Sequence, residues 1–276
     1  MRTFLEFEQL LTIKRYSNNT IQTYIGLLIP FHKKIGVHTD LNDLSDTQIL
    51  NYFMDTVRNN KYAASSQKQL SSAIRLYFKE MYRREVDFTN LAALPAQRSL
   101  PVILSKSEVR AILKALSNKK HVAMLTTIYA LGLRSGELLH LKLMDMDGER
   151  NQIFIRNAKG NKDRVVPFPN SLKVYLRTYI KVYKPKEYLF EGTTGGVYSP
   201  ASLRAVFNKA KSGAGIKKPV TLHGLRHAYA THLMDAGTDV RIIKELLGHN
   251  DIKTTLIYTH VTQVTLENIP SPLDLL

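Results

Sequence analysis

Over the first ninety residues apolar positions recur at intervals of three and four, the period of a helix face, and no stretch alternates as a strand would. Thr3 and Glu6 have the spacing of a capping box ahead of Phe7, Leu10 and Leu11. From Asn18 to Ile35 a second stripe runs through Ile21, Tyr24, Ile25, Leu28 and Phe31, with Pro30 placed to kink it. Ser45 has the chemistry of an N-cap for a third helix bearing Ile49, Tyr52, Phe53 and Val57. A fourth, from about Ala64 to Arg84, turns Leu70, Ala73, Ile74, Tyr77 and Met81 inward. Four such helices can close into a small bundle, so residues 1–88 are predicted to form one helical domain.

The periodicity fails between Asp87 and Leu104, where Pro95 and Pro101 fall, and residues 89–104 read as a linker. Ser105 and Glu108 repeat the capping-box spacing and open a second helical series. One strand pair is clear: QIFIR (152–156) alternates apolar and polar positions, AKGNK (158–162) supplies a turn, and DRVVPF (163–168) returns. Helical patterns resume near 171–183, 200–212, 222–236, 239–247 and 251–259, and Gly132, Gly237 and Gly248 fall where helices would end. The predicted fold is mainly α: an N-terminal four-helix bundle, then a mostly helical domain over 105–276 with a small antiparallel β-sheet.

Composition narrows the function. A chain of 276 residues has room for two modest domains, and 44% hydrophobic content is ordinary for a globular protein. No apolar run approaches the ~18 residues that would span a bilayer. The opening MRTFLEFEQLL carries acids where a signal peptide would be apolar, so the cytoplasm is the expected location. Cysteine is absent, which excludes disulfides, thiol catalysis and cysteine-ligated zinc. The formal charge is +16 and unevenly placed. Residues 1–94 hold 12 of the 39 basic and 9 of the 23 acidic side chains, a net of +3, which leaves +13 for the remainder. A surface this basic favours a polyanion, because binding phosphates releases condensed counterions.

The candidate chemistry lies in that basic portion. Arg134 follows Gly132 in GLRSGEL, where a guanidinium can clamp phosphate or simply pair with Glu137. Lys159 sits at the hairpin tip with Lys162 three residues on, and either could also be a plain solvated lysine. His223 and Arg226 share a helix face at a helix N-terminus, a setting that attracts anions. His223 and His227 have the spacing of some zinc sites, but the glutamate of HExxH and a nearby acidic third ligand are missing. His227 and His232 read as structural or DNA-facing. His249 suits a helix C-terminus as well as a phosphate. Tyr258 is one of 14 tyrosines and can pack as readily as react. No Walker-type GxxxxGK[ST] occurs and no acidic cluster has the look of a two-metal centre.

Taken together, LGLRSGELLHLK (131–142), NAKGNKDRVVPF (157–168), LHGLRHAYATHLMDAG (222–237) and VRIIKELLGHNDIKTTLIYTH (240–260) resemble the tyrosine recombinase (phage integrase) family, including its compact Xer-type members. The likeness runs from the N-terminal helices through Tyr258. It implies a SAM-like core-binding bundle followed by a catalytic domain. Arg134 and Arg226 would clamp the scissile phosphate, Lys159 would protonate the departing 5′ oxygen, His223 would carry the tyrosine proton, and His249 would hydrogen-bond the phosphate. Tyr258 would be the nucleophile, forming a 3′-phosphotyrosyl link that stores the bond energy, with neither metal nor nucleotide cofactor. The implied partner is double-stranded DNA with a short, roughly palindromic core site, bound by a homotetramer alone or with a second recombinase. The tail VTQVTLENIPSPLDLL (261–276) would dock on a neighbouring subunit or pack on its own domain. Integration, excision or inversion by a mobile element and Xer-type dimer resolution share this chemistry. Type IB topoisomerase-like nicking and closing, or a non-catalytic DNA-binding accessory role, are the competing readings.

Overall fold

The computed structural model describes residues 4–35, 40–88, 102–156, 163–249, 251–256 and 258. Thr3, most of the linker, Lys159, Lys162 and the tail after Tyr258 lie outside the described residues. The chain divides into two compact units, residues 1–98 and 99–276.

Among the described residues the first unit holds four α-helices, α1 (Phe4–Ile13), α2 (Asn18–Ile35), α3 (Asp46–Asn59) and α4 (Ala64–Tyr82), with a short 3-10 turn at Leu41–Asp43. Their apolar faces meet in one core built on Phe7, Leu11, Leu28, Phe31, Phe53 and Phe78. Tyr24, Ile25 and Val57 only border it. Ser45 caps α3 as its sequence requires: its hydroxyl accepts from the Gln48 N–H at 3.2 Å, and the Gln48 side chain accepts from the Ser45 N–H at 2.8 Å. Pro30 lies inside α2, which continues past it to Ile35. The fourth helix is shorter than its pattern, stopping at Tyr82 because Arg83 takes a left-handed conformation at φ 55°.

The second unit holds α5 (Lys106–Lys114), α6 (Lys119–Leu131), α7 (Ser135–His140), β1 (Met146–Asp147), β2 (Gln152–Ile155), β3 (Arg164–Pro167), α8 (Asn170–Tyr183), α9 (Pro200–Gly213), α10 (Gly224–Asp235), α11 (Val240–Leu247) and α12 (Lys253–Leu256). The expected strand pair is β2 and β3, antiparallel with Ile153 opposite Val166 and Ile155 opposite Arg164. A third strand, β1, extends the sheet in the order β1-β2-β3 and was not legible, because two residues are too few to show a period. The central helix is α6, whose Ala123, Met124, Leu125, Ile128 and Leu131 are all buried, and it packs against α8 and α10. Ser105 forms the expected capping box with Glu108 at 3.2 and 2.7 Å. Gly132 and Gly248 cap α6 and α11 at φ 61° and 63°, conformations that glycine adopts without strain. Gly237 lies one residue past the cap of α10 at φ 84°.

Candidate active site

The site gathers the C-terminal ends of α6 and α11, which Arg226 of α10 joins, together with Glu137 of α7 and Arg164 of β3. Helix ends leave carbonyls without intrahelical partners, and these carry the negative end of the helix dipole. Here arginines use them. Arg226, fully buried, donates from Nη1 to the Gly132 carbonyl and from Nη2 to the Leu247 carbonyl, both at 2.7 Å. Arg164 donates from Nε to the Leu246 carbonyl at 2.7 Å, and Arg134 reaches the Gly248 carbonyl at 3.3 Å. Gly132 is required for more than its positive φ: a Cβ there would lie 2.4 Å from the Tyr229 ring.

All three guanidiniums surround the buried carboxylate of Glu137. Arg134 donates from Nη1 at 2.7 Å and from its backbone N–H at 2.9 Å. Arg164 adds a bidentate fork at 3.0 and 2.8 Å, and Arg226 Nη1 lies 3.7 Å away. Burial alone would raise the Glu137 carboxyl, but the hydrogen bonds and charge of Arg164, then those of Arg134, outweigh it and hold the pKa to about 2. Three cations on one anion leave an excess positive charge in a largely water-excluded place. A phosphodiester is the kind of anion that would balance it. The anticipated Arg134–Glu137 pair is thus present, and it is part of the cluster rather than an alternative to it.

The histidines line the same region. His223 precedes α10 and is exposed in part; desolvation of its ring, followed by the charges of His227, Arg226 and Arg134, lowers its pKa to about 4. His249 is lowered to about 4 by burial and then by Arg226 and Arg134, and its Nδ1 shares a 2.8 Å hydrogen bond with Thr255 Oγ1. Both are neutral near pH 7. Tyr258 is 1% exposed, packed with Ala230, Met234, Ile243 and Leu247. Burial raises its pKa, and Arg226 and Arg134 oppose that rise.

One hydrogen bond departs from the sequence expectation. The ring nitrogen nearest the Tyr258 hydroxyl is Nδ1 of His227, at 2.8 Å, whereas His223 sits behind it with ring centroids 4.6 Å apart. His227 is expected from the sequence to be structural or DNA-facing; its local signal is the i, i+4 spacing from His223. His232 instead shares a 2.9 Å hydrogen bond with the Tyr129 hydroxyl. Arg164 and Glu137 were the other residues passed over as parts of the site. Five expected site residues, Arg134, His223, Arg226, His249 and Tyr258, are described, and the electrostatic coupling just given links them; Lys159 lies outside the described residues. For zinc, no group of three or more His, Cys, Asp or Glu side chains with a metal-binding arrangement occurs among the described residues.

Comparison with known proteins bears on the whole chain. Residues 103–264 match the phage integrase family and residues 4–87 match its N-terminal SAM-like domain. A putative integrase/recombinase, y4qK of Sinorhizobium fredii, is 36% identical over 96% of this chain and 86% of its own. Tyrosine recombinase XerA of Pyrococcus horikoshii is 34% identical over 93% and 88%. A crystal structure of XerA recombinase superposes with a TM-score of 0.55 at 28% identity, covering 94% of this chain and 93% of that one. With family matches that span both units and run past Tyr258, this chain belongs to the phage integrase family and is a tyrosine-type site-specific DNA recombinase.

Proposed function

We propose that the protein cuts and rejoins duplex DNA through a 3′-phosphotyrosyl intermediate on Tyr258, with residues 1–88 as a core-type DNA-binding domain, 89–104 as the linker and 105–276 as the catalytic domain. The observation that carries this reading is the cluster of Arg134, Arg164 and Arg226 on one carboxylate, coupled electrostatically to His249 and Tyr258. Arg134 and Arg226 neutralise the nonbridging oxygens of the scissile phosphate as charge builds on them. His249, neutral near pH 7, donates a hydrogen bond to the same oxygens. The Tyr258 hydroxyl passes its proton to a histidine as its oxygen attacks phosphorus, the P–O5′ bond breaks, and Lys159 gives the departing oxygen its proton. A 5′ hydroxyl from a partner duplex then attacks the phosphotyrosyl ester, its proton reloads Lys159, and the histidine returns the proton to the leaving Tyr258 oxygen. The ester preserves the bond, so the cycle needs neither metal nor nucleotide.

His223 is the proton carrier that the sequence favours, and His227 is the one that the 2.8 Å contact with Tyr258 favours. Arg226 and Tyr258 are both covered, and in this reading binding DNA uncovers them. The orphaned Nε of Arg226, buried without a hydrogen-bond partner, is one donor such a rearrangement would satisfy. The working assembly is a homotetramer on a short, roughly palindromic core site, alone or with a second recombinase, in the cytoplasm. Among the described residues no helix is long and apolar enough to cross a membrane. Its role is integration or excision of a mobile element or Xer-type dimer resolution.

The test uses two labelled duplexes of different length and a nicked duplex that traps the cleaved strand. The expected results are exchanged ends between the duplexes and a covalent adduct that disappears in Tyr258→Phe. Religation of each duplex only to itself would support topoisomerase-like action, and binding without any adduct would support an accessory role. Of His223→Ala and His227→Ala, the variant lacking the proton acceptor loses on the order of 10²-fold or more in adduct formation while still binding DNA.

A further inference from the structure

We propose that Arg164, on β3, is a positioning residue: it keeps the Glu137 carboxylate neutralised so that Arg134 is free to move its guanidinium onto the scissile phosphate. This rests on the proposed function and adds a residue to its machinery. The two arginines share one carboxylate but are held very differently. Arg164 uses its whole fork, Nε on the Leu246 carbonyl and both terminal nitrogens on Glu137, and its side chain is 8% exposed. Arg134 gives Glu137 a single side-chain hydrogen bond, reaches Gly248 only at 3.3 Å, and is 24% exposed. Arg164 is fixed and Arg134 is free to turn.

The energetics say why a fixed partner is needed. Stripping the last cation from a buried carboxylate is strongly unfavourable, because its charge is then left uncompensated away from water. If Arg134 were the main partner of Glu137, moving to phosphate would incur that cost, and the carboxylate would compete with the phosphate for the guanidinium. With Arg164 bound in a bidentate fork the carboxylate stays paired throughout. Arg226 cannot substitute, because its terminal nitrogens are committed to Gly132 and Leu247 and stand 3.7 Å from Glu137 at closest. Lysine cannot either, since one ammonium does not span both oxygens and the Leu246 carbonyl. Gly248 makes room for this arrangement: a Cβ there would lie 3.2 Å from Arg164 Cδ.

The experiment measures single-turnover adduct formation by full-length protein. The probe is a nicked duplex recovered by covalent capture on the wild-type protein from a randomised inverted-repeat library. Gel shift reports binding and thermal melting reports folding. Arg164→Ala and Arg164→Lys are expected to bind this duplex but form adduct at least about tenfold more slowly, and Glu137→Gln should restore part of the rate in either background. A residue that merely braced β3 against α11 would give no such rescue, because removing the carboxylate's charge would not repair the brace. Wild-type rates in folded Arg164→Lys, or Glu137→Gln slowing both variants further, would overturn the proposal. If Arg164→Ala does not fold, the Arg164→Lys pair decides alone. Failure of the wild-type protein to capture any duplex would instead count against the proposed function.

Discussion

Arg226 sets burial against charge: a fully buried cation whose nearest carboxylate is 3.7 Å away and already shared with two other arginines. It is tolerated because two helix-end carbonyls accept its terminal donors, which replaces the water it has lost. The same positive field acts on the histidines. His249 is brought to about 4 from its ordinary 6.5 by burial and then by Arg226 and Arg134. His223 moves the same way. The unfolded chain therefore binds more protons than the folded one between these values, so stability present above about pH 6.5 is lost as the pH falls toward about 4. Glu137, held to about 2, contributes its own loss only below its ordinary 4.5. Thermal melts of the DNA-free protein should drop between pH 7 and 5, and His249→Gln should flatten that slope. Equal stability at the two pH values would contradict the assigned field.

At the scale of elements, much was legible because the determinants are local. The boxes Ser45–Gln48 and Ser105–Glu108 start helices, and the glycines at 132 and 248 end them, each within a few residues of the signal. The expected site residues rest on short motifs, which are local in the same way. What escaped the sequence depends on distance along the chain. The Arg226 bond to Gly132 joins residues 94 apart, the Arg134 bond to Gly248 joins residues 114 apart, and no local pattern records either. The His227 contact with Tyr258 spans 31 residues, and no local pattern records it either. Gly132 shows both kinds of information in one residue: the cap is local, but the crowding by Tyr229 and Leu247 is tertiary. A Gly132→Ala variant would combine a strained φ, about 1–2 kcal/mol, with an overpacked contact of about 1–3 kcal/mol. Its melting temperature should fall by several degrees or the protein should fail to fold, whereas Gly136→Ala, with open space at its Cβ, should change little. Equal melting of the two would show that the α6 end is not packed as described.

For the whole molecule, the charge imbalance and the site tell one story. The portion after residue 94 carries a net +13, and it also contains the arginine cluster and the buried tyrosine. A basic surface gathers DNA without reading sequence, and in the proposed mechanism the excess of buried guanidinium charge then singles out one phosphate. Tyr258, the proposed nucleophile, is covered by Ala230, Met234, Ile243 and Leu247. The most direct check is mass spectrometry of the trapped covalent complex after digestion with protease and nuclease. The account predicts a nucleotide joined through its 3′ phosphate to the Tyr258 hydroxyl. An adduct on any other residue, or cleaved DNA with no protein attached, would contradict it.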